Sequence, residues 1–164
     1  LLITHMPTVL ASPDNVDARA AMQLGAALAG TAIEHSMLGA AHAAANPLTA
    51  HFNVIHGQAV CNTLPYVVRR NAQHEASSNG YRTLMQHAGL VSADATAQDA
   101  VDALLDQLDT LGRAANLIVP LAEFGVREND IEMLSNEATE QWTGTFNPLA
   151  LTAADYQALY RAAL

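Results

Sequence analysis

Leu2, Ile3, Met6, Val9 and Leu10 recur at steps of three and four residues, so the chain opens in helical register. Pro13 disfavours helix at Ser12 and ends this segment, leaving Asp14 and Asp17 to cap the next. Over residues 19–33 apolar side chains (Met22, Leu24, Ala26, Ala27, Leu28, Ala29, Ile33) occupy nearly every face, which predicts a central helix buried on all sides. Gly25 and Gly30 then read as close contacts between helices. Residues 38–52 predict a second buried helix. His56-Gly57 opens a third, lined by Val60, Leu64, Val67 and Val68 and kinked at Pro65.

Around residues 75–79 the pattern turns polar, which predicts a surface connection before a short helix on Tyr81, Leu84, Met85 and Leu90. Residues 96–113 are the clearest amphipathic segment. Val101, Leu104, Leu105 and Leu108 form its buried stripe, and Asp99, Asp102, Asp106 and Asp109 its solvated face. Pro120 and Gly125 mark a connection, and Ile131, Leu134 and Ala138 a further helix. Thr152-Ala153-Ala154-Asp155 reads as a capping box, with Leu151 able to staple onto Tyr156 and with Tyr156, Leu159, Tyr160 and Ala163 facing inward. The expected fold is an all-α bundle of roughly seven or eight helices in a single domain.

Composition supports that class. About half of the residues are apolar and only 5% are aromatic, and an Ala- and Leu-rich chain poor in β-branched runs favours helix over strand. The net charge is −9, and no basic cluster exceeds the Arg69-Arg70 pair, which argues against nucleic acid as a partner. No apolar run has membrane-spanning length. The single cysteine, Cys61, excludes an intrachain disulfide, fits a cytoplasmic setting and reads as a buried structural thiol. The chain opens on Leu1-Leu2-Ile3, already within a helix and without Met, so a fragment of a longer polypeptide is expected.

The candidate chemistry lies in the stretch LGAAHAAANPLTAHFNVIHG, where His42 and His56 stand fourteen residues apart in Ala-rich surroundings. A straight helix would separate them by roughly 21 Å, whereas two ligands of one metal each sit about 2.0–2.2 Å from it. If they share an ion, the chain reverses between them, with Asn46-Pro47 and Phe52-Asn53-Val54 as the places to bend. Spacing alone leaves a buried, backbone-satisfied pair of histidines as the alternative. Two imidazoles also fall short of a complete donor set. His5, His74 and His87 read as surface residues, His35 as a helix-end residue, and His51 as a possible neighbour of the site. No Gly-rich phosphate loop and no recognisable nucleophile turn is present.

Residues 38–71, LGAAHAAANPLTAHFNVIHGQAVCNTLPYVVRRN, closely resemble the C-terminal helical domain of iron-containing (group III) alcohol dehydrogenases. The family signature runs LG-x-x-H-x-x-x-H-x-L-G-x-x-x-x-x-x-H-G, followed by an apolar run, LP and a final N. Flanking segments such as VPLAEFGVRENDIEML and NPLALTAADYQALYRAAL resemble the family as well. The resemblance implies the dehydroquinate synthase-like C-terminal α domain. It makes His42 and His56 ligands of a catalytic Fe²⁺ or Zn²⁺, and implies NAD or NADP as hydride carrier. It further implies a small-molecule alcohol or carbonyl substrate and a homodimer.

The signature's middle histidine, associated with proton relay or substrate contact, is Asn46 here. Asparagine can hydrogen-bond substrate but cannot shuttle a proton near neutral pH. The family's other two metal ligands, an Asp and a His four residues on, and its dinucleotide-binding domain precede the part matched here, so this stretch alone is expected to bind metal weakly and not to turn over. Trp142 and Phe146, near residues 143–148, are expected to shape the substrate pocket. Maleylacetate reductase and glycerol dehydrogenase are the neighbouring enzyme classes. The reading from another class is a stand-alone helical module that binds metal weakly or serves assembly.

Overall fold

The computed structural model describes residues 1–164. Eight α-helices follow one another with no strand: α1 (Leu2–Ala11), α2 (Val16–Ser36), α3 (Ala40–Phe52), α4 (His56–Asn71), α5 (Glu75–His87), α6 (Ala97–Ala114), α7 (Ile131–Glu140) and α8 (Ala153–Ala163). Short 3-10 segments lie at Leu121–Phe124, Glu128–Asp130 and Trp142–Phe146. The expected all-α class holds, and no helix is long and apolar enough to cross a membrane.

The hub is α3. Ala40, Ala41, Ala43, Ala44, Ala45, Pro47 and Leu48 are all buried, and side chains this small let neighbours approach closely on several sides. Packed around it are α4, α7 and the Trp142–Phe146 segment. The main core joins α3 to Val54, Ala59, Val67, Leu121, Val126, Ile131, Leu134, Ala138, Tyr156, Leu159 and Tyr160. Across it, the Tyr160 hydroxyl donates to the Ala44 carbonyl at 2.7 Å, which ties α8 to α3. A second, smaller cluster of Val68, Met85, Ala100 and Leu104 joins α4, α5 and α6.

Local signals set most boundaries. The capping boxes at Thr96/Asp99 and Thr152/Asp155 both form, and Leu151 packs on the core that contains Tyr156. The stripe of α6 is as expected at Val101 and Leu104, while Leu105 and Leu108 are half-buried. Asp155 is also paired with Arg70 at 2.9 Å. Partial burial pushes its carboxyl up, but the Thr152 backbone and hydroxyl and the Arg70 guanidinium together hold it below the usual carboxylate range.

Four expectations are corrected. The cap of α2 is Asn15, whose side chain accepts from Ala18 N at 2.9 Å, rather than Asp14 or Asp17. Residues 75–79 lie inside α5, because the short turn at 72–74 already makes the connection, and Leu90 falls beyond that helix. Gly25 is a close contact, since a Cβ there would meet Leu2 Cδ2 at 2.8 Å, but Gly30 faces open space. The largest departure concerns α2 itself. Only Ala18 and Gly25 are buried, and Leu24 and Leu28 are 54% and 56% exposed. A helix apolar all round is buried only where partners cover it, and here α1 is its main neighbour.

Candidate metal centre

The reversal demanded by His42 and His56 is built at Asn53. This residue ends α3 in the left-handed conformation (φ 53°, ψ 26°), which Asn tolerates better than most residues because its short polar side chain bonds locally. Val54, 1% exposed, pins the turn into the core. Ile55 then precedes α4, whose first residue is His56. The two helices run back along each other and the imidazoles meet, with ring centroids 5.2 Å apart and planes at 47°.

That separation suits one shared ion. Imidazoles bound at about 2.0–2.1 Å place their centroids about 3.2 Å from the metal, and a near-tetrahedral angle then separates them by about 5 Å. His42 is half-buried and His56 exposed. Burial, and secondarily the neighbouring His56, hold His42 below the usual imidazole range, so its ring keeps a lone pair free at neutral pH. The donor set is nevertheless partial. No group of three His, Cys, Asp or Glu side chains is arranged to hold a metal ion, and a zinc or ferrous site takes three or four protein ligands. The pair fits half of such a site.

Asn46 lies one turn beyond His42. Between Ala40 and Thr49 the other residues of α3 are buried, and His42, Asn46 and Thr49 form a half-buried row at the spacing of one helix face. Asn46 Nδ2 donates to Gln141 Oε1 at 2.8 Å. The segment after Gln141 lies along α3: a Cβ on Gly144 would meet Ala43 Cβ at 3.4 Å and the Tyr156 hydroxyl at 3.2 Å. At its far end Asn147 Oδ1 accepts from Ala40 N at 3.3 Å, capping a helix whose own N-cap, Gly39, has no side chain to offer. Asn147 and Asn71 exchange two hydrogen bonds, of 3.1 and 2.7 Å. The end of α4, the start of α3 and this segment are thereby tied together. Trp142 (60% exposed) and Phe146 (49% exposed) stand on the surface of the segment with rings edge to face at 5.9 Å.

Two hydroxyls, Thr49 Oγ1 and Thr143 Oγ1, are buried without a partner. An unpaired buried hydroxyl costs about 1–3 kcal/mol, and replacing it by an apolar group of the same shape removes the penalty. Thr49→Val is therefore expected to leave the melting temperature of the domain unchanged or raised, as read by thermal unfolding; a clear fall would mean that the hydroxyl has a partner.

Of the seven histidines, His42 and His56 are the two whose rings meet. His51 Nε2 meets Glu137 Oε2 at 2.8 Å on the surface, a pairing with α7. His35 bonds the Thr31 carbonyl and His74 the Ser77 hydroxyl, both exposed. His5 is half-buried and His87 exposed. Cys61 is half-buried rather than buried, because it lines a cavity of ≈ 510 Å³ between α4 and α6. Burial pushes its thiol up, away from the reactive thiolate. The sequence pattern does not single out Gln141 or Asn147. Asn147-Pro148 carries a turn signal, but nothing around Gln141 marks it locally, because its partner is 95 residues away.

A family model described as "Fe-containing alcohol dehydrogenase family, C-terminal" matches residues 1–164. The lactaldehyde reductase of Escherichia coli K12 is 31% identical over 147 residues, covering 90% of this chain and 38% of that protein. The NAD-dependent methanol dehydrogenase of Bacillus methanolicus is 28% identical over 168 residues, covering 100% of this chain and 42% of that protein. A crystal structure of 1,3-propanediol oxidoreductase superposes with a TM-score of 0.91 at 24% identity, over 99% of this chain and 42% of that one. The chain thus spans about two fifths of the length of these relatives.

Proposed function

This chain belongs to the Fe-containing alcohol dehydrogenase family as its C-terminal domain, and on that footing we propose that His42 and His56 supply two ligands to a catalytic Fe²⁺ or Zn²⁺. The observation that carries the reading is the 5.2 Å separation of the two rings. The other ligands and the NAD(P)-binding domain belong to the remainder of a two-domain polypeptide, of which residues 1–164 form the single helical domain. The reaction is reversible oxidation of a small alcohol to an aldehyde or ketone.

When bound, the metal polarises the substrate oxygen and NAD or NADP exchanges hydride at the same carbon. The domain's own residues do the rest. His42 and His56, in the first turns of α3 and α4, hold their ring nitrogens in place, and burial keeps the His42 ring uncharged. Asn46 offers a hydrogen bond beside them and carries no proton in or out near neutral pH. Trp142 and Phe146 present an apolar wall that would shield the reacting carbon from water.

Chelation tests this reading. The full-length polypeptide, treated with a strong chelator and dialysed, is expected to lose NAD(P)-linked oxidation of short-chain alcohols and to recover it on addition of Fe²⁺ or Zn²⁺. Turnover that survives complete metal removal would contradict it.

A further inference from the structure

The bond between Asn46 and Gln141 does something that the histidine pair does not explain. Asn46 stands on the His42 face of α3, and its only side-chain hydrogen bond is the 2.8 Å contact to Gln141 Oε1. Gln141 makes no other side-chain bond, and its backbone is held where α7 ends, with Gln141 N on the Ala138 carbonyl. A free carboxamide presents its donor and acceptor ends interchangeably. Here the donor end is engaged by an acceptor from a fixed segment. The Oδ1 end has no protein partner and is not sealed from solvent, since Asn46 is absent from the buried unpaired atoms.

We propose that Gln141 is a positioning residue: it holds Asn46 with Oδ1 presented as a neutral acceptor for the hydroxyl of an alcohol bound beside His42 and His56. This rests on the metal-site reading above. The consequence is selectivity between the two redox partners of the substrate. An alcohol can donate its O–H to Oδ1, and a ketone of the same skeleton cannot.

The test is binding without coenzyme, so that nothing turns over. Full-length protein loaded with Zn²⁺ is titrated with propan-2-ol and with acetone, followed by NMR, for the parent and for Gln141→Leu and Gln141→Glu. In Gln141→Leu the alcohol is expected to bind about five- to tenfold more weakly, the size of one neutral hydrogen bond, with acetone changed less than twofold. Gln141→Glu keeps an oxygen that can only accept, and is expected to retain the parent preference. Equal weakening of both ligands in Gln141→Leu, or loss of preference in Gln141→Glu, would overturn the proposal. Zn²⁺ affinity of His42→Ala separates this failure from a failure of the site itself: affinity lost in His42→Ala and kept in Gln141→Leu leaves the metal site standing, so that the alcohol and acetone titrations alone decide the role of Gln141, whereas affinity kept in His42→Ala overturns the site.

Discussion

His42→Ala and His56→Ala, each made in the full-length polypeptide, are expected to lower metal affinity by more than ~100-fold. Loss of an outer-shell partner of a metal ligand already costs about 10–100-fold, and loss of the ligand costs more. The two variants should fail alike, because the rings at 5.2 Å address one position. They should also remain folded. His56 is exposed and His42 half-buried, and removal of either ring opens no cavity in the core. Metal titration beside a thermal melt checks both points. Unchanged affinity in either variant would show that its ring is not a ligand.

Tyr160→Ala is expected to be the most damaging core substitution. Tyr160 is 0% exposed and its hydroxyl bridges α8 to the Ala44 carbonyl, so truncation leaves a large cavity beside the helix that carries His42. Loss of a buried aromatic costs about 3–5 kcal/mol, against about 0.5–1.5 kcal/mol for the hydrogen bond alone in Tyr160→Phe. The pH dependence follows from the same burial. Desolvation, with smaller contributions from Tyr156 and Glu137, drives the Tyr160 phenol far above its ordinary value, and burial, with Asp155 adding to it, pushes Tyr156 up to about 12.

Both tyrosines are thus raised in the folded state, so their stabilising effect is whole below the unfolded value of about 10 and is lost as pH rises beyond it. Between about pH 10 and 12 each removes ~1.4 kcal/mol per pH unit. Tyr160→Phe should start less stable at neutral pH and decline less steeply above pH 10. Chemical denaturation across that range measures it, and parallel slopes for parent and variant would contradict the assignment to Tyr160.

What the sequence revealed and what it concealed divide along one physical line. Helix identity is local. The heptad-like stripes and the capping boxes at Thr96 and Thr152 specify where helices run, and they run there. Burial is not local. The apolar sequence of α2 says that the helix belongs against something, but only the packing says that α1 is its main neighbour. The metal pair shows the same division. Spacing required a reversal and marked Asn53 as a place for it, while the approach of the two rings depends on how α3 and α4 pack. Gln141 and Asn147, which orient Asn46 and cap α3, reach their partners across 95 and 107 residues. No window of sequence contains both ends of such a contact.

A shared ion between His42 and His56 is what the proposed function depends on. It is tested most directly by anomalous scattering from crystals of the full-length polypeptide grown with Fe²⁺ or Zn²⁺. A single anomalous peak is expected between the two rings, about 2.0–2.2 Å from a nitrogen of each. A peak bound to one ring only, or a metal bound elsewhere with the two imidazoles unligated, would contradict it.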